Sequence, residues 1–210
     1  MTISKSLNEK LSTINKKVIK RNNLFDSAYD LFMNKGIEST SIDDIVKKAG
    51  VAKGTFYLYF KDKYDIIDRL ILAKSSNILN EAVKYTESKI KKESVGFEDG
   101  VIYFADYIIE SLKENKKLLR IIHKNLSWGI YRRALANPEQ YTAMNNITNM
   151  FISNIKSINT CMQDDPEKIL FMIIELTGSV CYSSIILEEP DTIENMKPIL
   201  FKTIRKMIND

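Results

Sequence analysis

From Ile14 to Lys35 the apolar residues Val18, Phe25, Ala28, Leu31 and Phe32 recur at the spacing of one helix face, and Gly36 follows as a left-handed stop. A first helix is predicted there. The stretch Ser39 to Gly50 opens on hydroxyls and places Asp44 three residues after Ser41, a capping box with Asp in place of Glu. That spacing predicts a short second helix over 42–49. A tight turn at Gly50-Val51 then leads into a third small helix over 52–60. With successive residues 100° apart, Phe56 and Phe60 share one face while Gly54 and Leu58 lie opposite, flanked by Thr55 and Tyr57. Asp62 is placed to cap a fourth helix, whose apolar residues Ile66, Ile67, Leu70, Ile71, Ile78 and Leu79 continue toward Val83. Beyond the polar stretch 88–98, helical periodicity returns over 99–113, 116–127, 138–158, 167–187 and 198–209.

Composition supports an all-α chain. Its 210 residues are 44% hydrophobic, enough for a proper core, with only 7 Gly and 4 Pro to make turns. Ile169 to Leu187 is nearly long enough to span a bilayer. Glu175 at its middle and Asp164, Asp165, Glu188 and Glu189 at its ends favour a buried helix instead, and no membrane partner is expected. Cys161 and Cys181 lack metal-ligand spacing, and the opening residues hold no apolar stretch, so a reduced cytoplasm is the expected setting.

Charge divides the chain. Residues 1–63 carry 12 Lys or Arg against 7 Asp or Glu, and residues 64–210 carry 19 against 20, giving the net +4. A polyanion partner for the amino-terminal third and a merely solvated lysine-rich surface both fit this imbalance. Catalysis finds no support: there is no H-E-x-x-H, C-x-x-C, G-x-x-x-x-G-K or G-x-S-x-G, and the adjacent acids Glu188 and Glu189 beside Pro190 are read as solubilising. Neither a metal nor a cofactor is expected.

Two short helices joined by a glycine turn, behind a longer one, have the form of a helix-turn-helix, whose second helix enters the DNA major groove. Thr40-Ser-Ile-Asp-Asp-Ile45 and Gly50-Val-Ala-Lys-Gly-Thr-Phe-Tyr-Leu-Tyr-Phe-Lys-Asp-Lys63 together resemble the amino-terminal domain of TetR-family transcriptional regulators over roughly residues 16–75. The resemblance implies an arm over 1–15, a three-helix DNA-binding domain over 16–75, and a helical ligand-binding and dimerisation domain over 76–210. It further implies a homodimer on a palindromic double-stranded operator, acting as a repressor released by a small-molecule effector. An activator, a ligand-independent regulator and a helical adaptor that never meets DNA are the alternatives.

Carried over by position, Thr40 and Ser41 start the supporting helix, Lys53 to Tyr59 form the recognition helix, and Lys63 stands where the family places a phosphate-binding lysine. Chemistry agrees: Ser41, Thr55, Tyr57, Tyr59 and Lys63 supply hydroxyl, phenol and ammonium donors for phosphates, and Gly54 admits close backbone approach. Lys53 is the candidate base contact. Leu58 either lies against a thymine methyl or is a harmless exposed side chain. Asp43 departs from the family pattern, in which a basic or polar reader is common, and either makes no contact or accepts from a cytosine amino group. Lys16, Lys17, Lys20 and Arg21 reach DNA or are simply solvated, while Lys47 and Lys48 suit a helix carboxy terminus.

For the carboxy-terminal part, the resemblance implies a dimer built from the last two helices. Gly178 and Ser179 would allow close approach there, and Leu200, Ile204 and Ile208 would give an apolar stripe. Phe104, Tyr107, His123, Trp128 and Tyr131 are the candidate contacts for a small apolar or aromatic effector, although aromatics at helical spacing are as readily core.

Overall fold

The computed structural model describes residues 2–125, 136–137, 139, 141–158 and 166–209, and every described element is helical. The chain divides into two compact units, Met1–Leu70 and Ile71–Asp210.

In the first unit α1 spans Thr2–Lys35, α2 Ile42–Ala49 and α3 Lys53–Tyr57, and the opening turns of α4, Lys63–Glu93, complete it. The arm expected over 1–15 is instead helical from Thr2, continuous with α1. No glycine or proline interrupts residues 2–14, so nothing there stops a helix from growing backward. Of the α1 residues at helical spacing, Ala28 and Phe32 are buried and Val18 is 50% exposed. The unit's core is Leu24, Ala28, Phe32, Ile45, Phe56, Phe60, Ile66 and Ile67. Phe60 meets Phe25 edge-on with ring centres 5.1 Å apart, and Phe56 lies 5.4 Å from Phe60.

Local chemistry sets each boundary in this unit. Gly36 and Gly50 both adopt positive φ, +84° and +65°, which L side chains resist. Ser41 caps α2: its hydroxyl accepts from the Asp44 amide at 3.1 Å, and the Ser41 amide donates to the Asp44 carboxylate at 3.0 Å. Asp62 Oδ1 accepts from the amides of Tyr64 and Asp65 at 2.8 and 2.9 Å, which starts α4.

In the second unit the rest of α4 is followed by α5 (Phe97–Glu114), α6 (Lys116–Asn125), α7 (Thr142–Ile158), α8 (Pro166–Tyr182) and α9 (Ile193–Asn209); a π turn over Ser183–Leu187 prolongs α8. Pro166–Leu187 is apolar and long enough to cross a membrane by length and composition alone. Here it lies among α5, α6, α7 and α9, with Ile169, Leu170, Ile173, Cys181 and Ile185 in the core and Glu175 facing solvent. Burial pushes the Cys181 thiol up to about 12. Alpha 5 and α9 run antiparallel along a line of ion pairs. Arg205 holds Asp99 at 2.6 Å, and Lys197 holds Glu110 at 2.6 Å and also Asp106. Gly100, buried in the first turns of α5, lies where a β-carbon would come within 2.9 Å of Ile90 Cδ1 on α4.

The stripe assigned to the dimer needs correction. Leu200, Ile204 and Ile208 are 3%, 0% and 0% exposed within the single chain, packed with α5 and α8 in its own core. An amphipathic period shows that a face is buried, and an intrachain neighbour satisfies it as well as a partner does. The outward positions are Ser179 and Met172 on α8 and Ile199 on α9, with Gly178 half-buried.

Candidate DNA-binding surface

Phe56 and Phe60 anchor α3 from beneath, 0% and 2% exposed, and so fix which side of this short helix meets solvent. Lys53, Gly54, Tyr57 and Leu58 are exposed, Leu58 by 79%, and Thr55 and Tyr59 are half-buried at the margins. A helix of five residues has little stability of its own, so its outward face is held by tertiary packing rather than by propensity.

Four polar contacts set the electrostatics of this unit, and none follows from helical spacing. Lys53 on α3 donates to Asp43 on α2, its Nζ 2.9 Å from each carboxylate oxygen. That bond holds the Lys53 ammonium above the usual lysine range. Tyr59 donates its phenol hydrogen to the Lys17 carbonyl of α1 at 3.1 Å. Lys63, half-buried, donates to the Ile37 carbonyl at 3.0 Å. Lys48, near the carboxy end of α2, pairs with Asp30 of α1.

Of the positions assigned to DNA, Ser41, Lys53, Gly54, Tyr57 and Leu58 are exposed on this one unit. Thr40 is not: it is 1% exposed, and its hydroxyl donates to the Gly36 carbonyl at 2.7 Å, closing the loop before α2. A threonine beside a helix start serves its own backbone as readily as a phosphate. Lys63 is likewise committed in part to the protein's main chain. Lys16, Lys17, Lys20 and Arg21 lie exposed on α1.

The effector candidates are not brought together by any contact among the described residues. Tyr107 on α5 reaches Glu81 of α4 at 3.2 Å and lies 5.2 Å from the Tyr85 ring. His123 on α6 stacks at 3.9 Å on Tyr182 of α8. Phe104 is half-buried, and Trp128 and Tyr131 lie outside the described residues, as does Cys161. No group of three or more His, Cys, Asp or Glu is arranged for a metal among the described residues.

A long helix, a capped short helix, a left-handed glycine turn and an outward-facing third helix, followed by a separate helical unit, define a helix-turn-helix protein with an all-α second domain. Residues 24–70 match the model of bacterial regulatory proteins of the tetR family. The chain is 42% identical over 76 residues to the HTH-type transcriptional regulator YvdT of Bacillus subtilis, covering 36% of this chain and 35% of that one. It is 38% identical over 65 residues to the HTH-type regulator AcrR of Shigella flexneri, covering 31% and 30%. The matches thus span about a third of these curated relatives. The fold of Thermus thermophilus FadR, a TetR-family transcriptional repressor in complex with lauroyl-CoA, is similar with a TM-score of 0.61 at 18% identity, over 88% of this chain and 92% of that one. Similarity to the tetR family is thus carried by the sequence of residues 24–70 and, over most of the chain, by the fold.

Proposed function

We propose that this protein is a transcriptional repressor that binds a palindromic operator as a homodimer in the cytoplasm, one α3 entering the major groove of each half-site. The observation that carries the reading is the exposed face of Lys53, Gly54, Tyr57 and Leu58 set directly above the buried Phe56 and Phe60. Thr55 and Tyr57 supply phosphate contacts around it, the hydroxyl hydrogens of Ser41 and Tyr59 being held by Asp44 and the Lys17 carbonyl, and Lys63 adds the donors left over from its bond to Ile37. The two half-sites lie about one helical turn apart, ~34–36 Å. The partner copy meets the outward sides of α8 and α9 near Met172, Ser179 and Ile199, which are exposed in the single chain.

An effector in the second unit shifts the population toward dimers whose reading helices are wrongly spaced, which releases the operator. The similar fold that holds lauroyl-CoA supports an apolar effector, and no catalysis is part of this reading.

Genomic fragments captured by the purified protein test it. Their sequences converge on a palindrome, retention falls steeply with salt, and Leu58→Glu abolishes capture without lowering the unfolding temperature. A parent protein that retains no duplex at low salt, or a Leu58→Glu variant that captures the same fragments equally well, overturns the reading.

A further inference from the structure

The Lys53 ammonium straddles both oxygens of Asp43 at 2.9 Å, bridging the exposed faces of α2 and α3, with the two side chains 54% and 70% exposed. Neither residue needs the other for packing. An exposed ion pair of this kind contributes little stability, so its presence on the reading face calls for another reason. A lone carboxylate there would be repelled by the phosphates, and a lone lysine would bind any of them. Paired, they enter the groove as a neutral unit with a donor and an acceptor side by side.

We infer that Asp43 and Lys53 act together as a reader of one G·C base pair in each half-site, with Asp43 as a specificity-determining residue. This rests on the proposal that α3 is the DNA-reading helix. Lys53 donates to guanine O6 and N7, and the free lone pairs of Asp43 accept from the cytosine N4 amino group. O6 and N4 are hydrogen-bonded neighbours across one base pair, so a charge pair already in contact presents the complementary order of donor and acceptor. Reversing the base pair, or replacing it with A·T, sets a donor against the ammonium or an acceptor against the carboxylate, while T·A keeps that order but lacks guanine N7 and leaves one of the two lysine contacts unmade. Asp43 also keeps Lys53 from wandering to a phosphate, where it would add affinity without sequence preference.

The test is selection from randomised duplex pools by the parent, Asp43→Asn, Lys53→Met and the double variant, with salt titrations of each on random duplex followed by fluorescence anisotropy. The parent motif holds one fixed G·C pair in each half-site. Asp43→Asn keeps the rest of the motif but loses at least about fivefold preference at that pair. It also binds random duplex more tightly, with a salt slope steeper by about one, because Lys53 is now available to a phosphate. Lys53→Met loses the same preference, and the double variant loses no more than either single one. Asp43→Glu, which keeps the carboxylate, retains the preference and guards against a folding artefact. An identical motif from the parent and Asp43→Asn, or a parent motif with no fixed G·C pair, overturns the paired reader while leaving DNA binding intact. A parent that selects no motif and retains no duplex overturns the DNA-reading proposal beneath it.

Discussion

Lys63, the first residue of α4, donates its ammonium hydrogen to the main-chain carbonyl of Ile37, 26 residues earlier, at 3.0 Å. The bond ties the start of α4 to the loop between α1 and α2, so this lysine has a structural duty besides any phosphate contact. Lys63→Met therefore lowers stability by about 1–3 kcal/mol, the range for losing a charge-assisted hydrogen bond at a half-buried carbonyl. Urea unfolding measures it. A lysine that served DNA alone would leave the midpoint unmoved and change only the salt dependence of binding.

Ser41→Ala removes the hydroxyl from the α2 capping box and costs about 1 kcal/mol, read from the same unfolding curves. The loss is pH-dependent. Bonds from the Ser41 amide and hydroxyl, helped by Lys35, hold the Asp44 carboxyl below its ordinary value. A carboxyl depressed in the folded state gives stability that is present above its unfolded pKa and is lost as pH falls through the folded one. The parent thus loses this contribution below about pH 4, whereas Ser41→Ala has a shallower acid limb.

Gly50→Ala isolates backbone conformation from crowding. The residue sits at φ +65° with nothing within 4 Å of where a β-carbon would stand. The whole cost is therefore the left-handed backbone, about 1–2 kcal/mol by thermal unfolding. Gly50→Asn costs less, because asparagine tolerates that region.

On the second unit, Ile199→Asp and Ile204→Ala separate assembly from folding. Ile199 is 61% exposed and Ile204 fully buried. Sedimentation of Ile199→Asp shows a shift from dimer to monomer with folded spectra. Ile204→Ala lowers stability by about 2–5 kcal/mol through the cavity it leaves. A monomeric parent would remove the basis of the first expectation.

What the sequence made legible was local. The Ser41–Asp44 box, the stop at Gly50, the Asp62 cap and the inward turn of Phe56 and Phe60 each depend on residues within four positions of one another, and each stands as predicted. The failures lie where a side chain chooses among distant neighbours. Lys63 turned to Ile37, Lys53 to Asp43 and Tyr59 to Lys17, and periodicity is blind to such choices. The α9 stripe was read as a dimer surface, and period alone does not name what covers such a stripe. Leu200, Ile204 and Ile208 went to the chain's own core.

The absent side chain at Gly100 has a consequence for how this chain can change. Its neighbour Ile90 fills that gap with its terminal methyl, so the two positions share one volume across α4 and α5. A methyl gained at 100 obliges that δ-methyl, the free end of a flexible side chain, to swing aside, and a methyl lost at 90 makes the same room. Drift at these two sites is thereby coupled: the residue at one sets how much adjustment a change at the other requires.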